Sequence, residues 1–140
     1  IADLHKEANL IFRDLAVKAA KALAEGNAKK REQIHKDAVY WHQRNDGDGC
    51  IDWGSMKARQ IFNFVRALTR PYPGAFSYLD GEIVRIWEVQ LVKEVLTGSP
   101  GRIVHIQGEG PLVICADQAV KIVSYSSISG LTLKSGDRFK

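Results

Sequence analysis

The apolar rhythm of this chain changes once. In 2–25 and 55–68 apolar residues recur at three- and four-residue steps, and from Ala75 onward they recur at every second residue. Between the two regimes lies Arg70-Pro71-Tyr72-Pro73-Gly74. Proline cannot extend a helix and restricts the residue before it, and glycine accepts angles that other residues avoid. The chain must therefore be helical first and sheet-forming afterwards, which places it in the α+β class.

Within the helical part, Leu4, Ala8, Ile11, Leu15, Ala19, Ala22 and Leu23 fall on one stripe, predicting a long helix over 2–25 that stops at Gly26-Asn27. Such a stripe must pack on something, and little around it supplies a partner. Residues 27–43 are charged and poorly periodic, with Val39-Tyr40-Trp41 as the only apolar knot, and read as a connector. A second helix is predicted over 55–68, with Ser55 as N-cap and Asn63 as a buried amide on an otherwise apolar face. The period-two part predicts strands at 75–79, 83–95, 102–107, 111–116 and 118–126, with Asp80-Gly81 as a hairpin turn. Short strands with tight turns beside one helix suit a small, open antiparallel barrel. Residues 127–140 are polar, with Leu131 and Leu133 as anchors, and are expected to fray.

Charge is unevenly spread. Residues 1–70 carry 13 basic and 9 acidic side chains, whereas residues 71–140 carry 7 of each, so the net charge of +4 sits in the first half. That excess suits an anionic partner, and equally a solvated helix face. Cys50 and Cys115 have no ligand-type spacing, and a reducing, cytoplasmic setting is the simpler expectation. No stretch approaches the roughly 20 apolar residues of a membrane span. The first residue is Ile1 and the sole methionine is Met56, so the chain is expected to be a piece of a longer one.

Chemistry-bearing motifs are scarce. His5, His35, His42 and His105 show no helical metal spacing and flank no C-x-x-C. There is no nucleophile elbow, phosphate loop or dinucleotide fingerprint. Asp46, Asp48 and Asp52 invite comparison with a calcium loop, but Gly49 is out of place and Lys57 stands where the closing Glu belongs. No catalytic residue and no metal site is expected. Three features stand out instead. Asp52 in Ile51-Asp52-Trp53 can satisfy backbone donors ahead of a helix, while Trp53 can wedge that helix against the sheet. Asn63 forms the second feature. The third is the junction from Arg66 to Phe76, where Pro71, Pro73 and Gly74 fix the backbone and Arg66 and Arg70 can clamp an anion or tie the junction.

Ile51-Asp52-Trp53, then Ala58, Ile61, Asn63 and Val65-Arg66-Ala67, then Pro71-Tyr72-Pro73-Gly74-Ala75-Phe76, resemble the C-terminal domain of the 10-formyltetrahydrofolate-dependent formyltransferases. The resemblance implies three parts. Residues 1–26 would be the last helix of an otherwise missing Rossmann-like catalytic domain, 27–43 a connector, and 44–140 an OB-like C-terminal barrel. It also implies that the catalytic residues and the folate cofactor belong to the missing domain, so that this chain alone is inactive. The acceptor would be an amine. The stretch Arg44 to Trp53 is similar to the R-x-P-E-D-G-x-I-D-W pattern of the amino-sugar branch, departing at Asp46 and Gly47. The Tyr-Ala-x-Lys of the tRNA branch is absent, because Tyr40-Trp41-His42-Gln43 stands in its place. A nucleotide-linked amino sugar or other small amine is therefore expected ahead of initiator tRNA. The acceptor-binding candidates are Arg44, Asp46, Arg66, Arg70 and Tyr72. Two other classes are kept. One is a non-enzymatic nucleic-acid-binding module using the basic first half with Tyr40, Trp41, Trp53 and Tyr72; the other is a homodimer formed through helix 2–25.

Overall fold

The structure is a computed structural model that describes residues 2–140. The chain divides into two compact units, Ala2–Arg44 and Asn45–Lys140. The first holds helix α1 (Ala2–Ala24) and a short 3-10 turn at His35–Asp37. α1 closes where glycine and asparagine were expected to stop it, with the amide of Asn27 donating to the carbonyl of Ala22 at 3.0 Å. Its apolar stripe is exposed, from Leu4 through Ile11 and Leu15 to Leu23.

The second unit holds helix α2 (Ala58–Leu68) and strands β1 (Ala75–Leu79), β2 (Glu82–Leu91), β3 (Ile103–Ile106), β4 (Gly110–Ile114) and β5 (Ala119–Ser127). The strands form one antiparallel sheet in the order β1-β2-β5-β4-β3. Asp80 and Gly81 both take positive φ, 51° and 83°, which is the geometry a two-residue hairpin needs to match strand twist. β2 stops at Leu91 rather than at residue 95, because Leu91 already pairs with Val120, at the start of β5. An irregular register around Trp87 and Glu88 shifts the buried phase of β2 from Val84 and Ile86 to Val89.

α2 begins three residues later than expected, and Ser55 does not cap it. Asp52 takes that stretch for itself. Its carboxylate accepts from the amides of Gly54 and Ser55 at 3.0 and 3.1 Å and from the Ser55 hydroxyl at 2.6 Å, closing a separate turn. The helix is capped instead across the fold, where Asp117, in the β4–β5 connection, accepts from the amide of Ala58 at 2.8 Å. Ile61 and Val65 face the core four residues apart, so Asn63, halfway between them, points the other way and is exposed, not buried.

The core is Ile51, Trp53, Ala58, Ile61 and Val65 packed on the inner residues of the sheet, with Leu133 and Phe139 from the tail. The tail does not fray. The strands do not pair around a full circle, and residues 136–140 lace both edges. The amide of Ile103 donates to Asp137 and that of Gly136 to Ile103, both next to β3. The amide of Phe139 donates to Gly101, and that of Lys140 reaches Tyr78 on β1. Phe139 stacks on Trp53 with ring centroids 5.5 Å apart. The Trp53 indole donates to the Ser77 hydroxyl at 2.9 Å, which donates to the Lys140 carbonyl at 3.0 Å. His105 Nε2 lies 3.0 Å from the Leu133 carbonyl and fastens the tail further back. Polar composition at 127–140 concealed this, because the tail is held mostly by its backbone.

Phe139→Ala is expected to lower the unfolding free energy by about 3 kcal/mol through the cavity it leaves. Trp53→Phe, which removes the indole donor to Ser77 and leaves a smaller cavity in place of the pyrrole ring, should cost about 2 kcal/mol. Urea unfolding measures both. The amide of Ala58 holds the Asp117 carboxyl below its ordinary value of 3.8. A depressed acid stabilises the fold above its unfolded pKa and loses that contribution as pH falls through the folded one. Stability of the unmodified chain should therefore drop more steeply between about pH 5 and pH 2 than that of Asp117→Asn.

Candidate functional site

The candidate residues of the second unit collect around the joint between loop 45–53, the turn after α2 and strand β2. The loop is stiffened from within. The Asn45 side chain accepts from the amide of Gly47 at 2.8 Å, and Asp48 accepts from the amide of Asn45 at 2.8 Å, which caps the 3-10 turn Asp46–Gly49 in both directions. The loop then pairs with β1: Cys50 bridges to Phe76, and the amide of Ile51 donates to the Phe76 carbonyl at 2.8 Å.

Arg85 of β2 joins the three segments. Its guanidinium meets Asp46 in a fork, Nη1 to Oδ1 at 3.0 Å and Nη2 to Oδ2 at 2.7 Å. Nη1 also reaches the Gly74 carbonyl at 3.4 Å, and the guanidinium lies 5.4 Å from the Phe76 ring centroid. The Arg85 guanidinium holds the Asp46 carboxyl below the usual carboxylate range, and Asp46 raises Arg85 in return. Asp46, an acceptor-binding candidate in the sequence, is thus occupied in fixing the loop.

The turn after α2 is fastened at both ends. The amide of Tyr72 donates to Thr69 at 3.2 Å and that of Gly74 to Leu68 at 3.0 Å, and the Arg70-Pro71 bond is cis. Gly74 has φ +89°, and a Cβ there would lie 2.6 Å from Cζ3 of Trp87. The Trp87 ring therefore lies against bare backbone. Its indole nitrogen donates to Ser126 Oγ at 2.8 Å, and the Arg70 guanidinium stands 4.9 Å from its centroid.

The outer side of α2 carries the remaining candidates. Arg66 donates to the Asn63 amide oxygen at 3.1 Å, which gives Asn63 its role at the surface. Arg59 and Arg66 each lie 5.7 Å from the centroid of Phe62. Between α2 and β2 runs a groove of about 370 Å³, with Phe62, Arg66, Thr69, Trp87, Glu88 and Gln90 in its lining. Tyr72 is exposed on the turn. Arg44 belongs to the first unit.

Arg66 lines the groove, Arg70 stands over the Trp87 ring that forms part of its wall, and Asp46 braces the loop through Arg85. Asp52, Trp53, Pro71, Pro73 and Gly74 belong to the scaffold. Arg85 and Trp87 were not singled out from sequence, although their i, i+2 spacing on a strand was a signal that the two share a face. Asp117 gave no local signal, because the amide it caps is 59 residues away. Among the described residues no three His, Cys, Asp or Glu side chains converge as metal ligands. No described helix is long and apolar enough to cross a membrane.

Gly74→Ala tests the joint. The added methyl must displace Trp87 and force an alanine into left-handed backbone, so a loss of at least about 2 kcal/mol is expected. The Trp87 indole N–H should shift in the NMR spectrum, while amides of β3 and β4 stay where they are.

Comparison with known proteins places this geometry. Two crystal structures of HypX from Aquifex aeolicus, a multiply substituted variant and the complex with tetrahydrofolic acid, each match with a TM-score of 0.60 at 21% identity. Each match covers 82% of this chain and 20% of HypX, so the chain spans about a fifth of the proteins whose fold it shares. The family model for the formyl transferase C-terminal domain matches residues 44–136, which takes in the stiffened loop, α2, the Gly74–Trp87 joint and the whole sheet. This chain belongs to the formyl transferase C-terminal domain family.

Proposed function

We propose that the chain is the C-terminal, acceptor-positioning domain of a formyltransferase that moves a formyl group from 10-formyltetrahydrofolate to an amine. The observation that carries this reading is the family match over residues 44–136. The folate belongs to another domain in this reading. α1 and the connector would lead from that catalytic domain to the sheet, with Arg44 at the acceptor entrance. No catalytic residue is assigned to this chain, and alone it is expected to transfer nothing.

The preferred acceptor is a nucleotide-linked amino sugar or another small amine. The loop from Arg44 to Trp53 supports this reading. Its pattern lacks the usual proline, which alone would loosen it. The Asp46–Arg85 fork and the Asn45–Asp48 cap restore the stiffness by other means. A loop held this firmly suits the edge of a small acceptor site. The tRNA reading has one observation in its favour, the row Arg59, Arg66 and Arg70. Against it stands the even charge balance of residues 71–140.

The test joins the chain in cis to a folate-binding formyltransferase catalytic domain and follows labelled formyl from 10-formyltetrahydrofolate. Fastest transfer to a nucleotide-linked amino sugar is the expected result. Fastest transfer to methionyl-tRNA would reverse the acceptor assignment, and transfer to no amine would overturn the reading altogether.

A further inference from the structure

We infer that the groove between α2 and β2 binds the diphosphate of a nucleotide-linked small molecule, with Arg66 in its lining and Arg70 on the Trp87 ring that forms part of its wall. The inference rests on the acceptor reading above and gives it a location.

The first observation is a set of cations that are fixed but not neutralised. Arg59 and Arg66 flank the Phe62 ring, and Arg70 lies over Trp87. An aromatic face orients a guanidinium without cancelling its charge. Elsewhere in this unit Arg85 is paired with Asp46 and Lys121 with Glu109. Among the described residues no carboxylate pairs with Arg59, Arg66 or Arg70. Arg66 gives its Nε–H to Asn63, and the remaining guanidinium N–H groups are available to an anion.

Shape is the second observation. The groove, at about 370 Å³, falls at the lower end of the range for small-molecule sites, roughly 300–1,000 Å³. Thr69 and Gln90 line it, and neither side chain makes a hydrogen bond among the described residues. A hydroxyl and an amide beside the Arg66 guanidinium, with Arg70 over the adjoining Trp87 ring, form a donor set for two linked phosphates.

The third observation separates a small diphosphate from RNA. Single-stranded nucleic acid is gripped by stacking bases on open aromatic faces. Trp87 lies between Gly74 and Arg70, and Phe62 carries two arginines, so both rings in this groove are already in use. Glu88 also lines the groove and is the only acid there. It limits how much negative charge the site accepts, which disfavours an extended polyanion.

The experiment titrates the 140-residue chain with inorganic phosphate, inorganic pyrophosphate, uridine diphosphate and transfer RNA, following the Trp87 indole N–H by NMR at two salt concentrations. Pyrophosphate and uridine diphosphate should move that signal at lower concentration than phosphate does. The double variant Arg66→Gln, Arg70→Gln should weaken both by about tenfold or more, each lost charge-assisted contact counting. Glu88→Gln should tighten both, an opposite sign that no loss of folding imitates. Pyrophosphate binding that is indifferent to these three side chains, or that leaves Trp87 unmoved, would overturn the inference. So would transfer RNA that binds through the same arginines and is not displaced by pyrophosphate, which would make the groove an RNA site. Binding is read without catalysis. A groove that takes pyrophosphate in a fusion that formylates no nucleotide-linked amine would refute the acceptor reading and leave the anion site standing; the reverse outcome would do the opposite.

Discussion

The stack of Trp53 on Phe139, with the indole–hydroxyl–carbonyl relay through Ser77 to Lys140, holds together what the strand order leaves apart. A five-stranded sheet ordered β1-β2-β5-β4-β3 ends in two edges, and open edges expose unpaired donors and acceptors. Here the same few residues serve both edges. Ser77 sits on β1, Lys140 pairs with Tyr78 of β1, and Phe139 pairs with Gly101 at the foot of β3. Trp53 joins this lacing to loop 45–53 and, through the Asp52 turn, to the start of α2. Weakening the stack would loosen the sheet edges, the loop and the helix start together.

That coupling explains how so small a unit presents a defined surface. The loop, the turn after α2 and β2 meet at Arg85, which holds a carboxylate, a backbone carbonyl and an aromatic ring at once. Trp87 then lies flat on Gly74, and the arginines of the outer helix side come to rest on aromatic rings rather than on acids. Rigid supports of this kind position charged groups without neutralising them, which a recognition surface requires.

Much of this was legible in the sequence, for reasons that differ by element. The break at Pro71–Gly74 was readable because proline and glycine act locally. The Asp80-Gly81 hairpin was readable because its turn geometry demands those residue types. Asp52 closes the turn ahead of α2 and Trp53 stacks on Phe139, and both sit in a stretch whose residue types point to such contacts. The failures share another cause. Ser55 looked like a cap because nothing nearby in the sequence revealed that Asp117, 59 residues beyond Ala58, would do that work. Asn63 looked buried because its neighbours are apolar, although helical geometry turns it outward between Ile61 and Val65. The tail looked loose because its attachments are backbone hydrogen bonds, which composition does not record. The pairing of Asp46 with Arg85 left no local trace, because the two lie 39 residues apart.

Native-state hydrogen exchange tests most directly whether the tail holds the sheet together. The account predicts that the Trp53 indole N–H and the amides of Phe139 and Lys140 exchange as slowly as the amides pairing β2 with β5, through one shared global opening. Tail protons that exchange orders of magnitude faster than that central pair, with the sheet still intact, would contradict it.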